Sequence, residues 1–126
     1  MEYRKLSDDD LTFIDNNETR YYNINKIKNY SFVVTDNSEI IGYIIVNKKL
    51  IISLFVNTNY DFTNIGESLI THSLYKFRNR SIDVIINMND NIKFNLFTKI
   101  FKFKVVNILY MSNSFRLRLD DIFIIS

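Results

Sequence analysis

The chain has 126 residues, 47% hydrophobic and 24% charged, with a net charge of +2. That is enough apolar material for one buried core, which excludes disorder along the whole length, and too little excess charge to select nucleic acid as a partner. With no cysteine and one histidine, His72, it holds no disulfide framework, thiolate metal site, cysteine nucleophile or two-histidine mechanism.

The predicted elements follow in chain order. M-E-Y-R-K-L (1–6) reads as a short strand. Ser7 is a good N-cap, and Asp8, Asp9 and Asp10 suit the positive end of a helix whose apolar face is Leu11, Phe13 and Ile14. The three acids read as a helix-terminal charge run, not a metal site, because consecutive side chains on a helix diverge. A helical or irregular stretch over 19–29 carries Tyr21, Tyr22, Ile24 and Ile27. Strands at 31–35 and 40–46 flank D-N-S-E, a polar hairpin turn, and K-L-I-I-S-L-F-V-N (49–57) reads as a central strand covered on both faces. After T-N-Y-D-F-T-N, the spacing of Ile65, Leu69, Ile70, Leu74 and Phe77 predicts a helix from about 65 to 78. A strand at 81–87, a helix at 91–101 and a closing hairpin of 102–110 with F-R-L-R-L (115–119) complete the chain. The F-R-L-R-L alternation turns apolar side chains in and basic ones to water. Asp83 and Asp90 read as turn or cap residues, and Phe94, Phe97, Phe101 and Phe103 as core. Buried positions are predicted at Ile52, Leu54, Val56, Leu69, Val84, Ile86 and Phe103, with Lys48, Lys76 and Arg80 exposed.

This order predicts one α/β domain over 1–126. It has a mixed central sheet with an antiparallel meander, a β-α-β crossover and a C-terminal hairpin. Strands 49–57 and 81–87 should be adjacent and parallel, linked by the helix between them. No apolar run reaches the roughly 18 to 20 residues that cross a bilayer, and the N-terminal residues turn acidic where a secretory signal is apolar, so a cytoplasmic protein away from membranes is expected. Residues 1–63 carry 7 basic and 9 acidic side chains and residues 64–126 carry 9 and 5, a modest basic bias in the second half. Lys93, Lys99, Lys102, Lys104, Arg116 and Arg118 lie near aromatics without an RNA-binding consensus, so nucleic acid stays a minor option. The absence of Pro, Ala, Gln, Trp and Cys, with abundant Ile, Asn, Lys, Phe and Tyr, is what an AT-rich genome encodes easily. It points to a virus, phage, mollicute or AT-rich bacterium.

Three segments carry a family resemblance. V-V-T-D-N-S-E-I-I-G-Y-I-I-V (33–46), L-F-V-N-T-N-Y-D-F-T-N-I-G-E-S-L-I (54–70) and N-D-N-I-K-F-N-L-F-T-K-I-F-K-F-K-V-V (89–106) resemble the GCN5-related N-acetyltransferase (GNAT) family. Gly42 matches a glycine common in its third strand. The resemblance implies a strand–loop–helix site for acetyl-CoA. Backbone near Phe55, Val56 and Asn57 would pair with pantetheine. N–H groups of Phe62, Thr63, Asn64, Ile65, Gly66 and Glu67 would hold the diphosphate, with Gly66 allowing close approach. The family pattern Q/R-x-x-G-x-G/A falls on residues 61–66, where Asp61 and Asn64 depart from it and Gly66 is kept. The last-helix pattern falls on Asn91, Phe94, Thr98, Lys102 and Phe103. Asn91 and Phe103 match, Lys102 replaces a glycine, and Thr98 stands where a Tyr often protonates the departing thiolate. Ser53 occupies the approximate place of a family acid. Tyr60, Asp61, His72, Glu67 and Tyr110 are the remaining candidate bases.

Two functions stay open at this stage. One is an acyl-CoA-dependent N-acyltransferase acting on a small-molecule or protein amine. The other is a catalytically inactive module of the same fold that binds a protein partner or a second copy of itself.

Overall fold

The computed structural model describes residues 1–18, 21–77 and 80–120. Seven strands form one sheet in the order β1-β2-β3-β4-β5-β7-β6. They are β1 Glu2–Lys5, β2 Phe32–Asp36, β3 Glu39–Asn47, β4 Leu50–Val56, β5 Ile82–Asn87, β6 Lys104–Leu109 and β7 Ser114–Leu119. The helices are α1 Leu11–Asn17, α2 Ile24–Ile27, α3 Phe62–Tyr75 and α4 Asn91–Asn95. Every neighbouring pair is antiparallel except β4 with β5. That parallel pair is bridged by α3, as the apolar periodicity predicts. The result is the expected mixed α/β sheet, with its meander, crossover and closing hairpin.

Local chemistry explains the turns. Asn37 and Ser38 both adopt positive φ, 51° and 67°, the twist that a two-residue hairpin turn requires. Gly42 is demanded by packing: a Cβ there would lie 2.8 Å from the Phe55 carbonyl oxygen of β4. The last helix ends differently. After α4 the chain continues as a π-helical turn over Leu96–Ile100, with the Phe101 N–H reaching the Leu96 carbonyl at 3.3 Å. Lys102 then reverses the chain at φ 65°, in the left-handed region where glycine is strain-free. Buried Phe97 and Phe103 meet edge-on across this cap, 5.1 Å apart.

Two cores lie on opposite faces of the sheet. The larger packs Leu54, Val56, Leu69, Val84, Ile86 and Phe103 beneath α3 and the α4 segment. The smaller packs Val33, Tyr43 and Ile45 beneath α1 and α2. Lys48, Lys76 and Arg80 are exposed as expected, and Phe94 and Phe101 pack half-buried at the edge of the larger core.

Two sequence expectations change, at Ile52 and Asp83, and a third residue, Asp10, gains a partner. Ile52 is only half-buried. The β3–β4 register slips between Ile45↔Ser53 and Val46↔Ile51, so Ile52 is the extra residue of a bulge. The bulge resets the alternation, putting Ile51 on the same face as Leu54 and Val56. It also leaves the outer face of β4, with Ile52, Ser53 and Phe55, only partly covered. Asp10 stands in the first turn after the Ser7 cap, as the sequence predicts, and its carboxylate is also paired. It is 3% exposed and bonded by both terminal nitrogens of Arg4, at 2.8 and 2.9 Å, with the Ser7 N–H donating at 2.8 Å. Asp83 is neither a turn nor a cap residue, for it lies within β5 at 5% exposure.

Candidate active site

The site follows from where β4 and β5 stop pairing. Their ladder holds only Leu50↔Asp83 and Ile51↔Val84. Beyond Ile51 the strands diverge, and the two backbones face each other across a cleft of about 300 Å³ lined by Ser53, Leu54, Ile86, Asp90, Lys93 and Phe97, among others. Unpaired strand edges in a cleft offer N–H and C=O groups to an extended amide-bearing ligand. At the far end of β4, Val56 is buried in the larger core, and half-buried Phe55 stacks on Tyr43 with ring centres 5.1 Å apart. The Asn57 N–H turns back to the Ile41 carbonyl at 2.7 Å.

Beside the cleft mouth, α3 starts at Phe62, three residues before the position that periodicity gives. Asp61 is its N-cap, and its carboxylate accepts the Asn64 N–H at 3.2 Å and the Asn64 side-chain amide at 3.2 Å. Phe62 to Glu67 are therefore the first turn and a half of helix, not a loop, and Asn64 has no positive φ. An N-terminal helix end attracts anions through its free N–H groups and the helix field. Here the protein's own carboxylate already sits on one of those groups. Ile65 and Gly66 are buried, while Thr63, Asn64 and Glu67 are exposed. A Cβ on Gly66 would meet Leu96 at 3.2 Å and Leu54 at 3.7 Å, so this glycine lets α3 approach the π-helical turn and β4 closely.

The remaining predicted residues are dispersed. Ser53 lines the cleft. Thr98 is half-buried in the π-helical turn, and its hydroxyl donates to the Phe94 carbonyl at 2.7 Å. Asn91 is the exposed first residue of α4, whose cap is Asp90, accepting the Lys93 N–H at 3.1 Å. The Tyr60 hydroxyl donates to Asp36 at 2.9 Å, which raises its pKa. His72 stacks on Tyr3 at 4.9 Å and pairs through Nδ1 with the Ser68 carbonyl at 2.7 Å, on the side of α3 that faces β1 and β2. Glu67 and Tyr110 are exposed.

Two polar groupings were not read from the sequence. On the α1 face, the fully buried Tyr43 hydroxyl lies near Glu18 and Ser53 without completing a hydrogen bond of full geometry, while Tyr22 donates to Glu18 at 2.9 Å. Burial, followed by the Glu18 carboxylate, holds the Tyr43 phenol protonated far above the ordinary range. On the same face of the sheet, Asp83 accepts from Arg116 Nε at 2.6 Å, Arg118 Nε at 2.7 Å and a second Arg118 nitrogen at 3.0 Å. Burial pushes the Asp83 pKa up, but the Arg118 and Arg116 bonds outweigh it and hold the carboxyl below its usual value.

Comparison with known proteins gives the fold a name. No protein-family profile matches the sequence, and no curated protein matches it. Solved structures do. Ard1 from Thermoplasma volcanium superposes with a TM-score of 0.76 at 16% identity, covering 94% of this chain and 95% of that one. Arabidopsis thaliana Naa50, in complex with the bisubstrate analogue CoA-Ac-MVNAL, gives 0.75 at 16% identity, covering 94% and 97%. A spermidine N-acetyltransferase SpeG chimera from Vibrio cholerae and hSSAT gives 0.70 at 15% identity, covering 96% and 97%. The chain has the GNAT fold.

Proposed function

We propose that residues 1–126 form an acyl-CoA-dependent N-acyltransferase unit acting at the β4–β5 cleft. The observation that carries this reading is the divergence of the one parallel strand pair after Ile51, next to the N-terminus of α3. The open β4 edge from Ser53 to Asn57 fits the amides of a pantetheine arm, and the start of α3 lies where a diphosphate would follow. Naa50, which shares the fold, was captured with a CoA-linked peptide. Acetyl-CoA, when bound, supplies a thioester carbonyl open to attack.

The chain's own groups then have defined tasks. Backbone groups of the strand from Phe55 through Val56 to Asn57, other than the Asn57 N–H already given to the Ile41 carbonyl, hold the arm in register with the strand. Of the N–H groups from Phe62 to Glu67, those of Phe62 and Thr63 are the ones to face the phosphates, since Asn64 and Ile65 already donate to Asp61. Rate comes chiefly from positioning the amine against the carbonyl and from polarising that carbonyl. With an acyl-CoA held there, transfer would require the acceptor amine to lose a proton and the departing thiol to gain one, and the cleft residues would have to handle both. Ser53 is a hydroxyl in the cleft that can relay such a proton, the other cleft hydroxyl, Ser114, being given to the Ser112 carbonyl. Thr98, whose proton is committed to Phe94, can act only as an acceptor unless that bond is exchanged. The acceptor is an amine on a small molecule or a protein, and the expected compartment is the cytoplasm. Among the described residues, no helix is long and apolar enough to cross a membrane.

One observation favours the second reading, a module that keeps the fold without the reaction. Asp61 places a carboxylate on the helix end where the diphosphate would bind. Calorimetric titration with acetyl-CoA and CoA separates the two. Saturable 1:1 binding, followed by release of free thiol when an amine is added, supports the transferase. No heat at millimolar ligand refutes it.

A further inference from the structure

Below the cleft, on the sheet face that α1 and α2 leave uncovered, lies a basin of about 460 Å³. Lys48, Lys49, Arg116 and Arg118 line it, with Asp83 as the one acidic side chain among its described lining residues. The β5–β7 register sets Asp83 directly opposite Arg118, and the carboxylate bridges both guanidiniums. A guanidinium has about five N–H donors. Asp83 takes one from Arg116 and two from Arg118, so most of the donors on both point elsewhere. Lys104, opposite Arg118 on β6, adds a flanking cation, while Asp120 at the end of β7 is the other carboxylate acting on Arg118. One carboxylate thus holds two like charges side by side and leaves the basin strongly cationic.

Ile52 lines both the basin and the cleft, so the two adjoin. Leu50 pairs with Asp83, and Ser53 stands three residues farther along β4. At ~3.3 Å per residue, the arginine pair lies about 10 Å from the cleft hydroxyl. We infer that the acceptor is an acidic peptide. Its N-terminal amine enters the cleft beside Ser53, and a carboxylate at its third or fourth residue is received by Arg116 and Arg118, with Asp83 as the positioning residue. This rests on the transferase reading for the amine end only. The spacing suits an extended peptide, which advances about 10 Å in three residues, and paired guanidiniums suit a carboxylate through bidentate bonding.

The test uses two eight-residue peptides with free N-termini. They are identical except for Glu or Gln at residues three and four, and binding is followed by fluorescence anisotropy at low and high salt without CoA. The Glu peptide is expected to bind roughly tenfold more tightly at low salt, with the preference shrinking at high salt. Arg116→Gln should reduce the ratio toward one. Because Arg116→Gln disturbs a buried carboxylate, Lys49→Glu at the exposed strand turn provides the second arm and should also lower the ratio without touching that pair. Equal binding of the two peptides, or a preference that survives both substitutions, overturns the inference. Acylation assays with both peptides keep the two claims apart. Transfer to Glu and Gln peptides at equal kcat/KM refutes the acidic acceptor and leaves the transferase standing. Selective binding of the Glu peptide without any acyl transfer supports the basin and refutes the transferase.

Discussion

Replacing Asp61 by Ser separates the two consequences of the α3 cap. Asp61 accepts the Asn64 N–H at 3.2 Å, and Ser is about as good an N-cap as Asp, so stability should change by no more than ~0.5 kcal/mol. Asp61→Ala, which removes the acceptor, should cost about 0.5–2 kcal/mol. The effect on ligand is opposite in sign. A unit charge ~4 Å from another repels it by about 1 kcal/mol in water and up to ~4 kcal/mol at a protein-surface dielectric. Asp61 is exposed, so the lower end applies, and a gain of about 1–2 kcal/mol in CoA binding is expected, roughly 5- to 30-fold in Kd. Screening should shrink the gain above ~0.1 M salt. Calorimetric titration of native and Asp61→Ser chains at 20 and 300 mM salt, paired with urea unfolding, reads both quantities. An Asp61→Ser chain that binds CoA no better than the native chain at low salt would show that phosphate does not approach this helix end.

Other substitutions test the frame around the cleft. Leu54→Ala removes a buried side chain from the larger core and should cost ~2 to 5 kcal/mol in denaturant unfolding; a near-neutral result would mean that β4 is misplaced. Lys102→Gly relieves a left-handed residue at φ 65° and should raise stability by up to ~1 kcal/mol, read as a higher urea midpoint. Gly42→Ala should destabilise by about 1–3 kcal/mol or more, because its Cβ would lie 2.8 Å from a backbone oxygen. The carboxyls of Asp10 and Asp83 are both held below their usual values: burial works against this, but bonds from Arg4 and the Ser7 N–H, and from Arg118 and Arg116, prevail. Their stabilisation is therefore complete above the unfolded carboxyl pKa near ~4 and is lost as pH falls through the lower folded values. Asp83→Asn should flatten that acid-side loss in a pH series of thermal melts.

The fold was legible because its signals are local or strongly periodic. The D-N-S-E turn, the apolar repeat of α3 and the alternation of F-R-L-R-L each name an element by itself, and a parallel pair joined by one helix follows from their order. What was missed depends on register or on distant partners. The bulge at Ile52 inserts one residue and inverts which side chains of β4 face the core, and no local pattern announces it. The start of α3 was displaced because T-N-Y-D-F-T-N reads as a turn and the apolar repeat begins at Ile65. Asp61 followed by Asn64 is also a cap followed by its third helical residue, and that simpler reading holds. The alternation put Arg116 and Arg118 on one face, yet only the β5–β7 pairing brings Asp83 to them across 33 and 35 residues. Ser53 was singled out through the resemblance alone, whereas the Glu18, Tyr22 and Tyr43 grouping joins a helix end to a strand and has no sequence signature.

The central claim is that CoA binds along the open edge of β4 and at the start of α3. Backbone amide chemical-shift mapping during a CoA titration tests it directly. The account predicts saturable shifts at Phe55, Val56 and Asn57 and at Phe62 to Glu67, with Arg116 and Arg118 little changed. An absence of shifts at millimolar CoA, or shifts confined to the Arg116 and Arg118 basin, would contradict it.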